Sequence, residues 1–261
     1  CTAVHGPLGF TDMDQAGMLV EGFNEPSTMA TIYNHPYYPE HLERLGYRKD
    51  TDWIEYEITV PSEPDPKIAK LAGIILRREN LRLVTFTTKK EILSFAAQIF
   101  ALFNESYRNL YGYIPLNDKQ VAYYTKQYFG FIRPEFVPVV LNATGEMVAF
   151  GVTMPSLTRA MQKANGSLFP FGFFHLLRAL KKNDRADLYL IAVKPEYQGK
   201  GVNAVLINRI NEVFIQNGIR KVESNPELED NHLVQGQWKH FDTRQHKRRR
   251  CYIKHLDNAA P

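Results

Sequence analysis

Cysteine is scarce in this 261-residue chain: there are two, Cys1 and Cys251, at opposite ends and with no metal-ligand spacing. That excludes a disulfide framework and a cysteine-built structural metal site as the basis of the fold, and reducing, cytoplasmic conditions are the simplest setting. Long hydrophobic runs are missing too. No stretch approaches the about 20 apolar residues of a membrane span, and no secretory signal opens the chain. There is little excess of one charge: 32 Lys and Arg against 28 Asp and Glu leave +4, too little to indicate a nucleic-acid partner. Residue 1 is not Met, so the chain reads as a processed or excised piece of something longer.

What the chain does have is apolar residues, 44% of the total, enough for one large or two modest domains. Its most informative stretch is Asp187 to Phe214. Leu188 to Val193 is a short apolar run of the kind a strand covered on both faces shows. Gln198-Gly199-Lys200-Gly201 permits a tight turn. Val202, Val205, Leu206, Ile210, Val213 and Phe214 then fill one face of a helix. Free N–H groups and the positive dipole end at such a helix start suit a phosphate. The turn is not a Walker A loop, because Gly201 follows Lys200 where Ser or Thr is needed. Nor is it the dinucleotide fingerprint, whose glycine spacing and downstream carboxylate are absent.

Val193, Pro195, Tyr197, Gln198, Gly201 and the pair Leu206-Ile207 follow, in order and spacing, the acyl-coenzyme A signature of the GNAT (GCN5-related N-acetyltransferase) superfamily, which this stretch resembles. Asn203 departs from it, standing where a second Gly or Ala is usual. The resemblance implies an α+β (mixed α/β) fold with a central mixed sheet flanked by helices. It implies acetyl-CoA or another acyl-CoA as co-substrate and calls for no metal. Main-chain groups of Leu190, Ile191, Ala192 and Val193 would hold the pantetheine, and Gln198, Gly199, Lys200, Gly201, Val202 and Asn203 the pyrophosphate. Asn231 is a further expected cofactor contact.

The rest of the chain is divided by Pro61-Ser62-Glu63-Pro64-Asp65-Pro66, which reads as a linker. From residue 67 to 261 the expected elements follow the GNAT order: a helix at 68–78, strand 81–86, helices through 92–110 and 117–129, a hairpin of 136–141 and 147–154, then the signature strand, turn and helix. A short strand at 221–223, a helix at 227–241 and a strand at 249–255 complete it. Before the linker, a strand at 18–23, a helix at 37–45 ended by Gly46, and an alternating strand at 53–58 resemble the C-terminal half of a first, degenerate GNAT-like domain in residues 1–60. Residues 156–186 form an aromatic insertion, with Phe171 and Phe173 on one side of an extended stretch and Leu177 and Leu180 turned inward. It reads either as a wall for an apolar acceptor or as an extra helix covering the sheet.

The expected chemistry is attack of an amine on a thioester, with a base to take the amine proton. Glu223, ending the second strand of the gap, is the candidate base, or else a carboxylate beside a helix start. Tyr189 is a second polar group able to face the gap. Aligned on Asn231, the family's usual acid, a Tyr, is replaced by Trp238, whose indole has no accessible acidity. The run Arg244-Gln245-His246-Lys247-Arg248-Arg249-Arg250 reads as an anion-binding surface or as a solvated edge, with Lys247 and Arg249 on one face and Arg248 and Arg250 on the other. The resulting expectation is an acyl-CoA-dependent N-acyltransferase acting on a small-molecule or lipid-like amine, with no nucleic-acid partner and no membrane span. The alternatives are a non-catalytic binding protein of the same fold, or an aminoacyl transferase of the peptidoglycan type.

Overall fold

Apolar residues alternate along the strands and recur every three or four along the helices, and the computed structural model, which describes residues 1–256, shows what those patterns build. In chain order come β1 (Ala3–Gly6), β2 (Met18–Glu21), α1 (Tyr37–Arg44), β3 (Arg48–Thr59), α2 (Pro66–Arg78) and β4 (Arg82–Val84). Then follow α3 (Lys89–Tyr107), α4 (Asp118–Tyr128), β5 (Val139–Leu141), β6 (Met147–Pro155), α5 (Thr158–Lys163) and α6 (Gly172–Lys181). The last are β7 (Arg185–Val193), α7 (Val202–Gln216), β8 (Lys221–Ser224), β9 (Glu227–Leu228), α8 (His232–Gln235) and β10 (Thr243–His255).

The helices start where capping chemistry places them. Asp65 accepts from the Lys67 amide at 2.7 Å to open α2, and Thr88–Glu91 and Asn117–Gln120 form capping boxes for α3 and α4. Gly46, at φ +83°, ends α1 as the left-handed residue the sequence implies.

The described strands form one mixed sheet in the order β1-β10-β3-β8-β7-β6-β5-β4, with β2 paired to β10 and β9 to β3. Only β7 and β8 run parallel. On one face Ile92, Ile99 and Phe103 of α3 and Tyr124 of α4 pack on Val139, Phe150 and Ala192. On the other, Ala72 and Ile75 of α2 and Val205 and Leu206 of α7 pack on Val140 and Val148. Val139 and Val140 thus serve opposite layers, as successive strand residues do. Each Val, Leu, Ile or Phe among them, fully buried, contributes about 1.5–3 kcal/mol.

Residues 1–60, set apart in sequence by the prolines, lie within this sheet. β3 bonds β10 along one edge and β8 and β9 along the other. The expected 53–58 strand is therefore longer, Arg48–Thr59, and central.

Three expectations are corrected. The helix expected at 227–241 is instead the two-residue β9, the single turn α8 and a 3₁₀ turn at Gly236–His240. Leu228 and Glu227 are captured by Trp53 and Ile54 of β3, so a helix forms only after Asn231 caps it. In the insertion, the chain turns helical at Gly172, which puts Leu176 inward and leaves Leu177 exposed rather than buried.

The basic run is neither a free anion-binding surface nor a solvated edge. Lys247 and Arg249 are almost fully buried. Arg249 pairs with Glu55 at 2.7 Å, and Lys247 lies between Glu55, at 3.0 Å, and Glu223. On the other face Arg248 and Arg250 both bond Asp52. β10 carries the cations and β3 and β8 the carboxylates, so the charges meet only once the sheet is assembled.

Candidate functional site

A bulge in β7 opens the site. Leu188 pairs with Thr153 and Leu190 with Val152, which leaves Tyr189 without a partner on β6. A bulged residue bends its strand and increases the local twist. On the other side β7 and β8 stay paired from Arg185–Lys221 to Leu188–Ser224 and then separate. Beyond that point β7 continues along β6 to Val193, while the chain after β8 follows β3 as β9. Asn225 sits at the fork, its amide donating to the Leu188 carbonyl and its Nδ2 to that of Tyr189.

A cavity of about 1300 Å³ runs through the fork. It takes in Tyr189, Ile191, Ala192 and Val193 from β7, and Gln198, Gly199, Gly201, Val202 and Asn203 from the turn. Asn231 joins them from beyond the fork, although its side chain also caps α8. Those expected contacts, scattered over some 40 positions in sequence, therefore share one space. Lys200 does not line it: its Nζ lies 3.6 Å from Glu79 and over the Tyr197 ring.

The turn supplies unpaired donors. Among the described residues, the amides of Gly199, Gly201, Val202 and Asn203 have no protein acceptor, as expected at a helix start. Gly199 and Gly201 both adopt positive φ, +74° and +84°. A Cβ on Gly199 would meet nothing, whereas one on Gly201 would stand 2.8 Å from Ile75 Cδ1. Gly201 is thus required by the close approach of α2 to α7 as well as by its dihedral angle. The alternate β7 carbonyls of Tyr189, Ile191 and Val193 each accept from a side chain: Asn225, Tyr107 at 3.0 Å, and Gln198 at 3.0 Å, respectively. Ser106 Oγ also donates to the Val193 carbonyl, at 3.2 Å, so of the three only those of Tyr189 and Ile191 keep a second lone pair among the described residues.

Of the two carboxylates beside the fork, Glu227 lines this cavity and the expected Glu223 does not. Glu223 is tied to Lys247, with His246 Nε2 at 3.6 Å, and is not part of the cavity wall. Burial pushes its carboxyl upward against the pull of Lys247. Glu227 lines the cavity beside Ser224 and Asn225. Trp238 Nε1 donates to its Oε1 at 2.9 Å, and its Oε2 is buried with no partner. With no cation paired to it, burial pushes its pKa up to about 7. Asp12, from the N-terminal segment, also lines the cavity and is pushed up to about 6 by burial. Tyr189 keeps a buried hydroxyl with no hydrogen-bond partner, and burial raises it above the ordinary tyrosine range.

Sequence reasoning missed Glu227 because it falls at the first position of the helix expected at 227–241. Its contact with Trp238, eleven positions on, has no local signature because it depends on the short turns that replace the expected helix. Trp238 itself is buried, and its indole holds this carboxylate.

A mixed sheet that splits between its parallel pair, with an amide-rich turn below the split, defines the GNAT fold. The Acetyltransferase (GNAT) family model matches residues 96–239, and the chain belongs to that family of acyltransferases. A solved GCN5-related N-acetyltransferase from Sphaerobacter thermophilus shares the fold with a TM-score of 0.53 at 14% identity, over 85% of this chain and 56% of that one. Among curated proteins, the chain is 26% identical to Protein YghO of Escherichia coli (strain K12) over 263 residues, 97% of this chain and 66% of that protein. It is 24% identical over 202 residues to a bacterial ceramide synthase of Caulobacter vibrioides (strain NA1000 / CB15N), 74% of this chain and 50% of the relative. The chain thus spans between half and two thirds of the curated relatives it matches.

Proposed function

We propose that this chain is an acyl-coenzyme A-dependent N-acyltransferase whose acceptor is a lipid-like amine and whose base is Glu227. The observation that carries this is one cavity containing both the four free amides of the turn and a carboxylate with an orphan oxygen. The amides of Gly199, Gly201, Val202 and Asn203 fit a pyrophosphate, and the second lone pair of the Ile191 carbonyl fits a pantetheine amide. Acyl-CoA, acetyl-CoA being the smallest case, would supply the thioester.

The remaining chemistry is the protein's own. Glu227 Oε2 accepts the proton that the amine loses as its nitrogen bonds to the acyl carbon. The bond to sulfur breaks, and the Tyr189 hydroxyl is the donor available to the leaving thiolate. A carboxylate with a pKa of about 7 is matched to a base working near neutrality. The lipid-like acceptor is supported by the cavity's size, about 1300 Å³ against the 300–1000 Å³ of most small-molecule sites, and by the apolar Phe100, Phe103 and Leu176 in its wall. The name of the ceramide synthase relative, a ceramide being an amide of a long-chain amine, points the same way. The coenzyme requirement assigns the proposed reaction to the cytoplasm.

The test is release of free thiol from acyl-CoA in the presence of long-chain primary amines, with acyl chains from acetyl to palmitoyl. Thiol release that depends on both substrates is expected, and Glu227→Gln should remove it while leaving coenzyme A binding intact. Binding without release for any amine would instead favour a non-catalytic role, in which the Trp238–Glu227 hydrogen bond is structural.

A further inference from the structure

The part of the 156–186 insertion that precedes β7, residues 156–184, carries two features that the acyl-transfer site does not use. The first is exposed apolar surface. Leu168, Phe169, Phe171, Phe174 and Leu177 are all more than half exposed, Phe169 at 78% and Phe171 at 70%. Phe174 and Leu177 are spaced to share one face of α6, and the Phe169 ring folds back to 6.2 Å from Phe173, tilted at 44°. Aromatic residues gathered in this way on a surface mark a contact with something apolar.

The second is charge. Residues 156–184 hold five Lys and Arg (Arg159, Lys163, Arg178, Lys181 and Lys182) against one acid, Asp184. The segment is thus +4, the net charge of the entire chain, while the remainder balances at 27 against 27. Arg178 and Lys181 follow Phe174 and Leu177 at helical spacing on the same outward side of α6, and all four are exposed. A second copy of the chain is a poor occupant for this face, since an isologous contact would bring its cations against themselves. An apolar surface carrying negative charge complements it, because the exposed side of α6 sets apolar and basic side chains next to one another, the two kinds of residue by which helices bind a membrane interface. The opposite side of α6 reaches the site: Leu176 lines the cavity, as does the exposed Phe131.

We propose that the segment from Leu168 to Lys182 docks this protein on an anionic lipid surface, with Phe169, Phe171, Phe174 and Leu177 entering the headgroup layer and Arg178, Lys181 and Lys182 contacting lipid phosphates. Docking itself is independent of the acyl-transfer reading. Its use, delivery of a lipidic amine past Leu176 into the cavity, rests on that reading.

The test is flotation of the purified chain with vesicles of phosphatidylcholine alone and with about a third phosphatidylglycerol added, at low and high salt. Binding to the anionic vesicles that weakens with salt is expected. Phe171→Ser with Phe174→Ser should abolish it. Lys181→Gln with Lys182→Gln should weaken it about 25-fold, each charge near the surface being worth about fivefold. These positions are exposed, so unchanged thermal melts and unchanged coenzyme A binding will show that the variants are folded. Wild-type protein that stays unbound to anionic vesicles at low salt overturns the proposal, as does sedimentation showing a dimer that the two Phe→Ser changes dissociate. Vesicle binding without any coenzyme A binding would sink the acyl-transfer reading and leave docking intact.

Discussion

At the residue scale, burial sets the chemistry of the carboxylates, and each makes a prediction of its own sign. Glu227 has no cationic partner, so moving it from water raises its pKa from 4.5 to about 7 in the fold. Below the lower value both folded and unfolded chains carry the proton. Between the two, the unfolded chain ionises first, so stability falls as pH rises, by about 3 kcal/mol in all. Urea titrations from pH 4.5 to 8 should show this loss in the wild type and a flatter profile in Glu227→Gln. The catalytic counterpart is a kcat/KM that rises through pH of about 7 and drops about 10²- to 10⁴-fold on that substitution. A variant that kept the wild-type pH–rate limb would remove Glu227 as the base.

Lys247 is the opposite case, a buried cation held between Glu55 and Glu223. Lys247→Met would leave Glu223 without its closest counter-charge, which typically costs about 3–5 kcal/mol. The penalty should shrink in mild acid, where Glu223 can take up a proton. Chemical denaturation at pH 5 and pH 8 compares the two, and equal losses at both would show that the pairing matters little.

At the element scale, β3 is the decisive segment. It comes from the N-terminal 60 residues yet lies between β8 and β10, bonded on both edges. Its Glu55 and Glu57 also supply carboxylates to Lys247, Arg249, Arg185 and Lys221. Proteolysis at the Pro61–Pro66 segment should therefore yield two fragments that co-elute on gel filtration and separate only in denaturant. A stable, folded 67–261 fragment free of residues 1–60 would contradict this. The turn before α7 allows a second element-level test. Gly201→Val adds a branched side chain against Ile75 at positive φ, so it should lower stability as well as coenzyme binding. Gly199→Ala faces open space and should disturb the turn's conformation alone.

At the scale of the whole molecule, a ligand that binds only the folded state raises its stability. Coenzyme A at a hundredfold excess over its dissociation constant should add about 2.7 kcal/mol, a rise in Tm of roughly 5–10 °C for a chain of this size. Differential scanning fluorimetry checks this, and a melt unmoved by millimolar ligand would count against the turn as the binding site.

What the sequence determined by itself is local. The strand, turn and helix between Leu188 and Phe214, the capped starts of α2, α3 and α4, and the left-handed Gly46 follow from periodicity, capping and glycine conformation, which act over a few residues. The family signature at Val193, Pro195, Tyr197, Gln198 and Gly201 was legible for the same reason. The strand and turn from Ile191 to Asn203 could be delimited with it, being local structure, whereas that Asn231 reaches the same cavity and Lys200 does not was decided by the tertiary fold. The tertiary structure alone decided the rest. Residues 227–228 pair with β3 because that strand's free edge outcompetes a helix. Lys247 and Arg249 are buried because Glu55 and Glu223 arrive from two other strands to neutralise them. That Glu227 and not Glu223 lines the cavity goes with their distant partners, Trp238 holding the one and Lys247 the other. Sheet edges, buried ion pairs and cavities are made by residues far apart in the chain, and no local pattern encodes them.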